Sequence, residues 1–186
     1  GDGFTMRHCV IHDCVDGGFG ANGTGKYIRD ILIEDCQGYR LSMSGSFPGQ
    51  ETPVNGCWLF KMCDGVTVRR TSIFQGRGEG MSADTRSKNV LFEDCTVGDT
   101  AHLAIYVNRA QDVVIRNCVT FHTGDPAWLQ ADGDPGANLV IGDEMSGDKS
   151  KGWQFSENVL IAGCLFIGGG AMFQVRYGLK PGNKPG

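Results

Sequence analysis

Apolar residues alternate with polar ones in short bursts that recur along the chain. The bursts read Phe4-Thr-Met-Arg-His-Cys9, Ile31-Leu-Ile-Glu-Asp-Cys36, Val66-Thr-Val-Arg-Arg-Thr71, Val90-Leu-Phe-Glu-Asp-Cys95, Val113-Val-Ile-Arg-Asn-Cys118 and Val159-Leu-Ile-Ala-Gly-Cys164. Positions one and three are apolar, which is the period of a half-buried strand. Each burst follows Gly3, Asp30, Gly65, Asn89, Asp112 or Asn158, residue types that tolerate a left-handed turn. The segments between bursts are too short for a packed helix, and none shows a 3.6-residue period. A unit recurring every 20–50 residues marks a solenoid. Stacked in register, these units predict an all-β parallel β-helix of six or seven coils. The seventh would come from Asn138-Leu-Val-Ile-Gly-Asp-Glu144, because the gap from residue 113 to 159 is twice the one before it.

The sixth position of every burst then faces inward. Cys9, Cys36, Thr71, Cys95, Cys118 and Cys164 would form one interior ladder of small side chains. An even number of cysteines also suits disulfides in a secreted protein, but the repeat accounts for these as core filler. Cys14, Cys57 and Cys63 fall outside it. There is no Cys-x-x-Cys pair, so a zinc knuckle or dithiol redox centre is not expected. The fourth position reads Arg7, Glu34, Arg69, Glu93, Arg116 and the fifth His8, Asp35, Arg70, Asp94, Asn117. This alternation of sign predicts a solvated charge ladder and makes Glu34 a neighbour of Arg69. Leu32, Leu91, Val114 and Leu160 occupy the outward second position, so a cover is expected there. The candidates are the Gly38–Gly56 stretch or another chain.

Composition narrows the function. The net charge is −4 and the sequence pI about 5.5, which excludes a basic nucleic-acid reader. No apolar run is long enough for a membrane span. Glycine is enriched, with 29 of 186 residues, in keeping with many tight turns. Two long insertions exceed the repeat: Gly38–Gly56, and His122–Asn158 with seven acids against two lysines. Residues 1–177 are expected to form one domain, with a flexible tail at 178–186.

Together the Asn-Val-x-Ile-x-x-Cys phrases resemble the right-handed parallel β-helix repeats of the pectin-lyase-like superfamily. That resemblance implies a right-handed solenoid and an extracellular or cell-surface setting. It also implies a polysaccharide partner, and a cleft on one sheet's outer face roofed by turn insertions. The polygalacturonase-type segments are altered here. Thr123-Gly-Asp-Pro-Ala-Trp128 carries Pro126 where that group has a second acid, and Gly78-Glu-Gly-Met81 carries Glu79 where it has histidine.

Glu79, His102 and Asp125 each directly precede an expected strand, so they should stack on one edge as a catalytic column. A carboxylate, an imidazole and a carboxylate suit general acid–base work on a glycosidic substrate. Their plainer reading is as turn residues bonded to backbone amides. Arg77, Asp99, His122 and Trp128 would bind substrate beside them, and Trp153 and Tyr106 could stack on sugar rings. Asp132 and Asp134 could hold Ca2+, although the acid-Gly-acid spacing lacks the rest of a calcium loop. Asn22-Gly-Thr24 is a glycosylation sequon. Two functions follow: a polysaccharide-binding or polysaccharide-cleaving domain (lyase or glycoside hydrolase), or a non-catalytic structural or adhesive rod. The rod would self-associate or belong to a larger parent chain.

Overall fold

The left-handed residue at the head of each burst sets the wall of the molecule. In the computed structural model, Gly3, Asp30, Gly65, Asn89, Asp112 and Asn158 all take positive φ, between 54° and 80°. The structure describes residues 2–43, 56–130, 133–143, 155–171 and 173–176. Strands are labelled in chain order and fall into three parallel sheets of six strands each.

Sheet A holds the bursts: β1 (Asp2–Arg7), β4 (Ile28–Glu34), β7 (Cys63–Arg69), β10 (Lys88–Glu93), β13 (Gln111–Arg116) and β16 (Glu157–Ala162). Sheet B holds β2 (Val10–His12), β5 (Gln37–Leu41), β8 (Ser72–Gly76), β11 (Thr96–Thr100), β14 (Val119–Phe121) and β17 (Leu165–Ile167). Sheet C holds β3 (Phe19–Asn22), β6 (Trp58–Lys61), β9 (Met81–Asp84), β12 (Leu103–Asn108), β15 (Ala137–Gly142) and β18 (Phe173–Arg176). Each coil runs A, B, C and climbs one strand. The result is an all-β parallel β-helix of six coils.

The core lies between the sheets. Ile33, Val68, Phe92 and Ile115 enter it from sheet A, Ile73 and Val97 from sheet B, and Trp58, Phe60, Ile105 and Leu139 from sheet C. Phe19, Phe60 and Phe92 make a run of tilted ring contacts through the middle, with centroids 5.8 and 6.2 Å apart.

The A-to-B corner is tight. His8, Asp35, Arg70, Asp94 and Asn117 adopt positive φ there. The next residue in each coil, Cys9, Cys36, Thr71, Cys95 or Cys118, offers its carbonyl to the backbone amide one residue further along the following coil. Each also points its side chain back to the carbonyl two residues upstream: Cys36 to Glu34 at 3.2 Å, Thr71 to Arg69 at 3.0 Å, Cys95 to Glu93 at 3.2 Å and Cys118 to Arg116 at 3.3 Å. All cysteines are free thiols, and Cys36, Cys95 and Cys118 are buried. The bond from Cys118 and burial together push the Cys95 thiol up. Cys57 and Cys63, unassigned from the repeat, are fully buried core residues, whereas Cys14 is half-buried against it. Burial pushes the Cys57 and Cys63 thiols up to about 11.

Three expectations change. Asn138–Asp143 does not begin a seventh coil on sheet A. Ala137–Gly142 is β15 of sheet C, paired with β12 and β18, and Glu144 lies outside the described residues. A period-two pattern reads alike on any face, which is why this strand mimicked the burst. The Gly38–Gly56 stretch is not an insertion from its start, since Gln37–Leu41 is β5; residues 44–55 lie outside the described ones. Leu32, Leu91 and Val114 are half-buried and Leu160 is 56% exposed, so the described residues leave Leu160 uncovered. The tail at 178–186 lies outside the described residues.

Glu34 and Arg69 are register partners with an ion pair at 2.7 Å. Arg7 and Arg70 also bind Glu34, and Arg116 binds Glu93.

Candidate functional site on the outer face of sheet C

Sheet C differs from sheet A in what its outward face carries. Its outward rows, read along the register, are Gly20–Leu59–Ser82–Tyr106–Val140–Gln174 and Asn22–Lys61–Asp84–Asn108–Gly142. An outward row on an open sheet is solvated. Here Ser82, Asp84, Tyr106, Asn108 and Val140 are all buried, at 0%, 8%, 4%, 5% and 0% exposure. The three long excursions of the chain, 42–57, 122–136 and 143–156, all adjoin strands of this sheet.

Tyr106 packs with Leu103, Ala137 and Val140 in a second, smaller apolar cluster. Gly142 leaves it room, since a Cβ there would sit 2.9 Å from the phenol oxygen. Buried Asp84 is held by several donors. The Asn108 amide donates to it at 3.0 Å and the Thr85 backbone amide at 2.6 Å, and Lys61 lies 3.3 Å away. Arg109 donates to the Thr85 hydroxyl at 2.8 Å, and its Nε is buried with no hydrogen-bond partner among the described residues.

Glu79 enters from the B-to-C corner. One of its carboxylate oxygens takes the Ser82 hydroxyl, and the other lies 3.9 Å from Nδ1 of His102. The Glu79 side chain is 12% exposed and that of His102 43% exposed, so the pair is sunk on one side and open on the other. Gly136 allows His102 its place, since a Cβ there would meet the His102 carbonyl at 2.2 Å.

Asp125 does not complete this column. The strand of its coil begins at Ala137, not at Pro126, and Pro126–Trp128 is a single 3-10 turn. Asp125 caps that turn, its carboxylate accepting the Ala127 amide at 2.9 Å, and it is exposed. Counting residues from the corner fails here because the 122–136 excursion adds chain before the next strand.

Of the residues expected to bind substrate, Asp99 accepts the Thr123 amide at 2.8 Å and its hydroxyl at 3.0 Å. His122 is buried, with no hydrogen-bond partner at Nε2 among the described residues. Burial pushes its imidazole down, against the charge of Asp99 and a backbone bond with Ala137. Arg77 is half-buried with its Nε unpartnered among the described residues. Trp128 is buried rather than displayed, and so is Tyr106. Asp134 is exposed, and Asp132 and Trp153 lie outside the described residues. Among the described residues no three His, Cys, Asp or Glu side chains gather as a metal-holding group.

Sequence reasoning missed Ser82, Asp84, Asn108 and Lys61. The available signal was polar Lys61, Asp84 and Asn108 recurring one coil apart beside core residues. It was masked because β9 is only four residues long and β12 runs Leu-Ala-Ile-Tyr-Val before Asn108, so the polar residues do not stand out as a row.

A model of a right handed beta helix region matches residues 1–142. The chain belongs to this right-handed beta-helix family. Comparison with curated proteins found no match, and comparison with solved structures found none. In this beta-helix protein the family supports the architecture, and its description names no reaction. No helix among the described residues is long and apolar enough to cross a membrane.

Proposed function

We propose that this beta-helix protein binds and cleaves an extracellular polysaccharide at the B-to-C edge of sheet C, with Glu79 and His102 as the proton-transferring pair. The observation that carries this reading is the Glu79–His102 pair, whose carboxylate is 12% and whose imidazole is 43% exposed. Burying polar side chains is costly and needs partners; Ser82, Asp84 and Asn108, buried on the same outward face, find theirs within the chain.

In the proposed chemistry His102 presents its open side to the glycosidic oxygen or to a ring proton. Glu79, 3.9 Å behind it, favours the charged imidazole as a proton arrives. Ser82 fixes the other oxygen of Glu79 and so its orientation. Arg77 and Asp99, on neighbouring turns of the same edge, would contact flanking sugar units, and exposed Asp125 would border them.

The test is a panel of acidic and neutral polysaccharides, scored for new reducing ends and for unsaturated product. Glu79→Gln and His102→Ala should each lower turnover by about 10²-fold or more while the fold is kept. Full activity in both variants would place the chemistry elsewhere. Absence of binding and turnover on every polysaccharide would favour the non-catalytic rod, whose support is the half-exposed apolar row of sheet A.

A further inference from the structure

Sheet A carries two charged rows, not one. The known row runs Arg7, Glu34, Arg69, Glu93, Arg116, Ala162 along the register. A second row, at the opposite edge of the same face, runs Asp2, Arg29, Asp64, Lys88, Gln111, Glu157. Both reach the outer face because the left-handed residue after each second-row position resets the alternation of the strand. The sign alternates from coil to coil over five coils of the first row and over four of the second, Asp2 to Lys88, and pairs form along both: Lys88 to Asp64 at 3.3 Å in one, Arg116 to Glu93 at 2.5 Å in the other.

The two rows are also in antiphase. Strands β1, β4, β7 and β10 each give the two rows one acid and one base, at opposite ends; Asp30 of β4 is a further acid, at the left-handed position between its two row members. Pairing within a row does not require this. The rows are five residues apart, roughly 16 Å at ~3.3 Å per residue, beyond the ~8 Å screening length at physiological salt. Either phase would serve the isolated chain equally well.

We infer that sheet A is a self-association face that docks a second copy of this chain side by side, about a twofold axis parallel to the solenoid. That operation keeps each coil level with its counterpart and exchanges the two edges. Asp2 then meets Arg7 of the second copy, Arg29 meets Glu34, Asp64 meets Arg69, and Lys88 meets Glu93. Gln111 meets Arg116 and Glu157 meets Ala162, so the two rows oppose no like charges. A twofold along the strands instead sets Asp2 against Glu157 and leaves Arg7 and Arg29 without an acid. The row Thr5–Leu32–Thr67–Leu91–Val114–Leu160 lies within half a residue of the proposed axis and meets itself. Leu160, 56% exposed, is covered by this docking.

Six strands at ~4.8 Å spacing, with side chains reaching past both edges, give a footprint of roughly 700 Å². That is just under the ~800 Å² per partner of a standard interface. The contact is polar at both margins and apolar along the axis, so it should weaken with salt.

Light scattering and sedimentation equilibrium over a concentration series test this. A dimer is expected at low salt, dissociating as salt rises. Lys88→Glu and Glu93→Lys should each weaken it about tenfold or more, because the twofold repeats every new like-charge contact. The double variant Lys88→Glu/Glu93→Lys should restore it, although the pairs to Asp64 and Arg116 within the chain stay broken. Circular dichroism verifies the fold, and should a charge variant not fold, Leu160→Lys at its half-exposed site carries the test by abolishing the dimer. A monomer at every concentration in low salt would overturn the proposal. So would a double variant no better than the singles, or a dimer indifferent to Leu160→Lys.

Discussion

Replacing Thr71 by valine isolates what the corner side chain does, because the two side chains have nearly the same volume. Thr71 is 2% exposed. Its hydroxyl donates to the Arg69 carbonyl at 3.0 Å and accepts the backbone amide of Cys36, one coil below, at 3.3 Å. The Arg69 carbonyl keeps a second donor in the Asp35 amide at 3.2 Å, so valine leaves it satisfied. The Cys36 amide has no other partner than Thr71 among the described residues, and a buried unsatisfied amide costs about 1–3 kcal/mol. The added methyl contributes a few tenths back, and no cavity forms. The net loss is about 2 kcal/mol, or a fall in Tm of roughly 4–8 °C for a chain of this length. Thr71→Cys should cost less than about 1 kcal/mol, since thiols make the same upstream contact in the neighbouring coils. Thermal unfolding of the three proteins in one buffer measures both. A valine variant that melts with the wild type, or below which the cysteine variant falls, refutes the assignment of the corner to hydrogen bonding rather than to volume.

Acidification should destabilise the fold in two stages. His122 has a folded pKa below its ordinary ~6.5, so the unfolded chain protonates first and stability falls as pH drops from about 6.5. Glu34, Asp35 and Asp64 are held low by Arg69, Arg70 and Asn89, so their contribution is lost only below about pH 4. Denaturant midpoints against pH should lose the upper stage alone in His122→Gln. Native alkylation read by mass spectrometry should label exposed Cys9 quickly and spare Cys57 and Cys63, whose thiols are buried and pushed up to about 11; rapid labelling of either would contradict their core placement. Gly136→Ala, whose Cβ would lie 2.2 Å from the His102 carbonyl, should cost roughly 1–3 kcal/mol and shift the His102 imidazole resonances.

Sheet A was legible because its bursts combine β-branched alternation, a turn former before and a small residue after. Sheet C was legible only in part: strands were expected after Glu79 and His102, where β9 and β12 lie, but the strand expected after Asp125 is a 3-10 turn and β15 begins only at Ala137. The Glu79–His102 pairing survived a one-residue slip in counting: Glu79 lies level with Leu103, because Met81 pairs with Ile105. Asp125 did not survive, since an excursion before β15 displaced it from the column. The second charge row on sheet A also escaped notice, because its residues stand before the left-handed position, outside the phrase that defined the repeat.

The alternation of sign in sheet A has a consequence for how such a chain can lengthen or shorten. Removing the one coil that carries Lys88 and Glu93 would bring Arg69 level with Arg116. Like charges would then stand ~4.8 Å apart, the strand spacing, at a place where attraction stood before. Removing two adjacent coils leaves the phase intact. Duplication and deletion in this solenoid therefore obey a parity rule: whole pairs of coils can come and go silently, and a single coil must bring compensating charge changes with it.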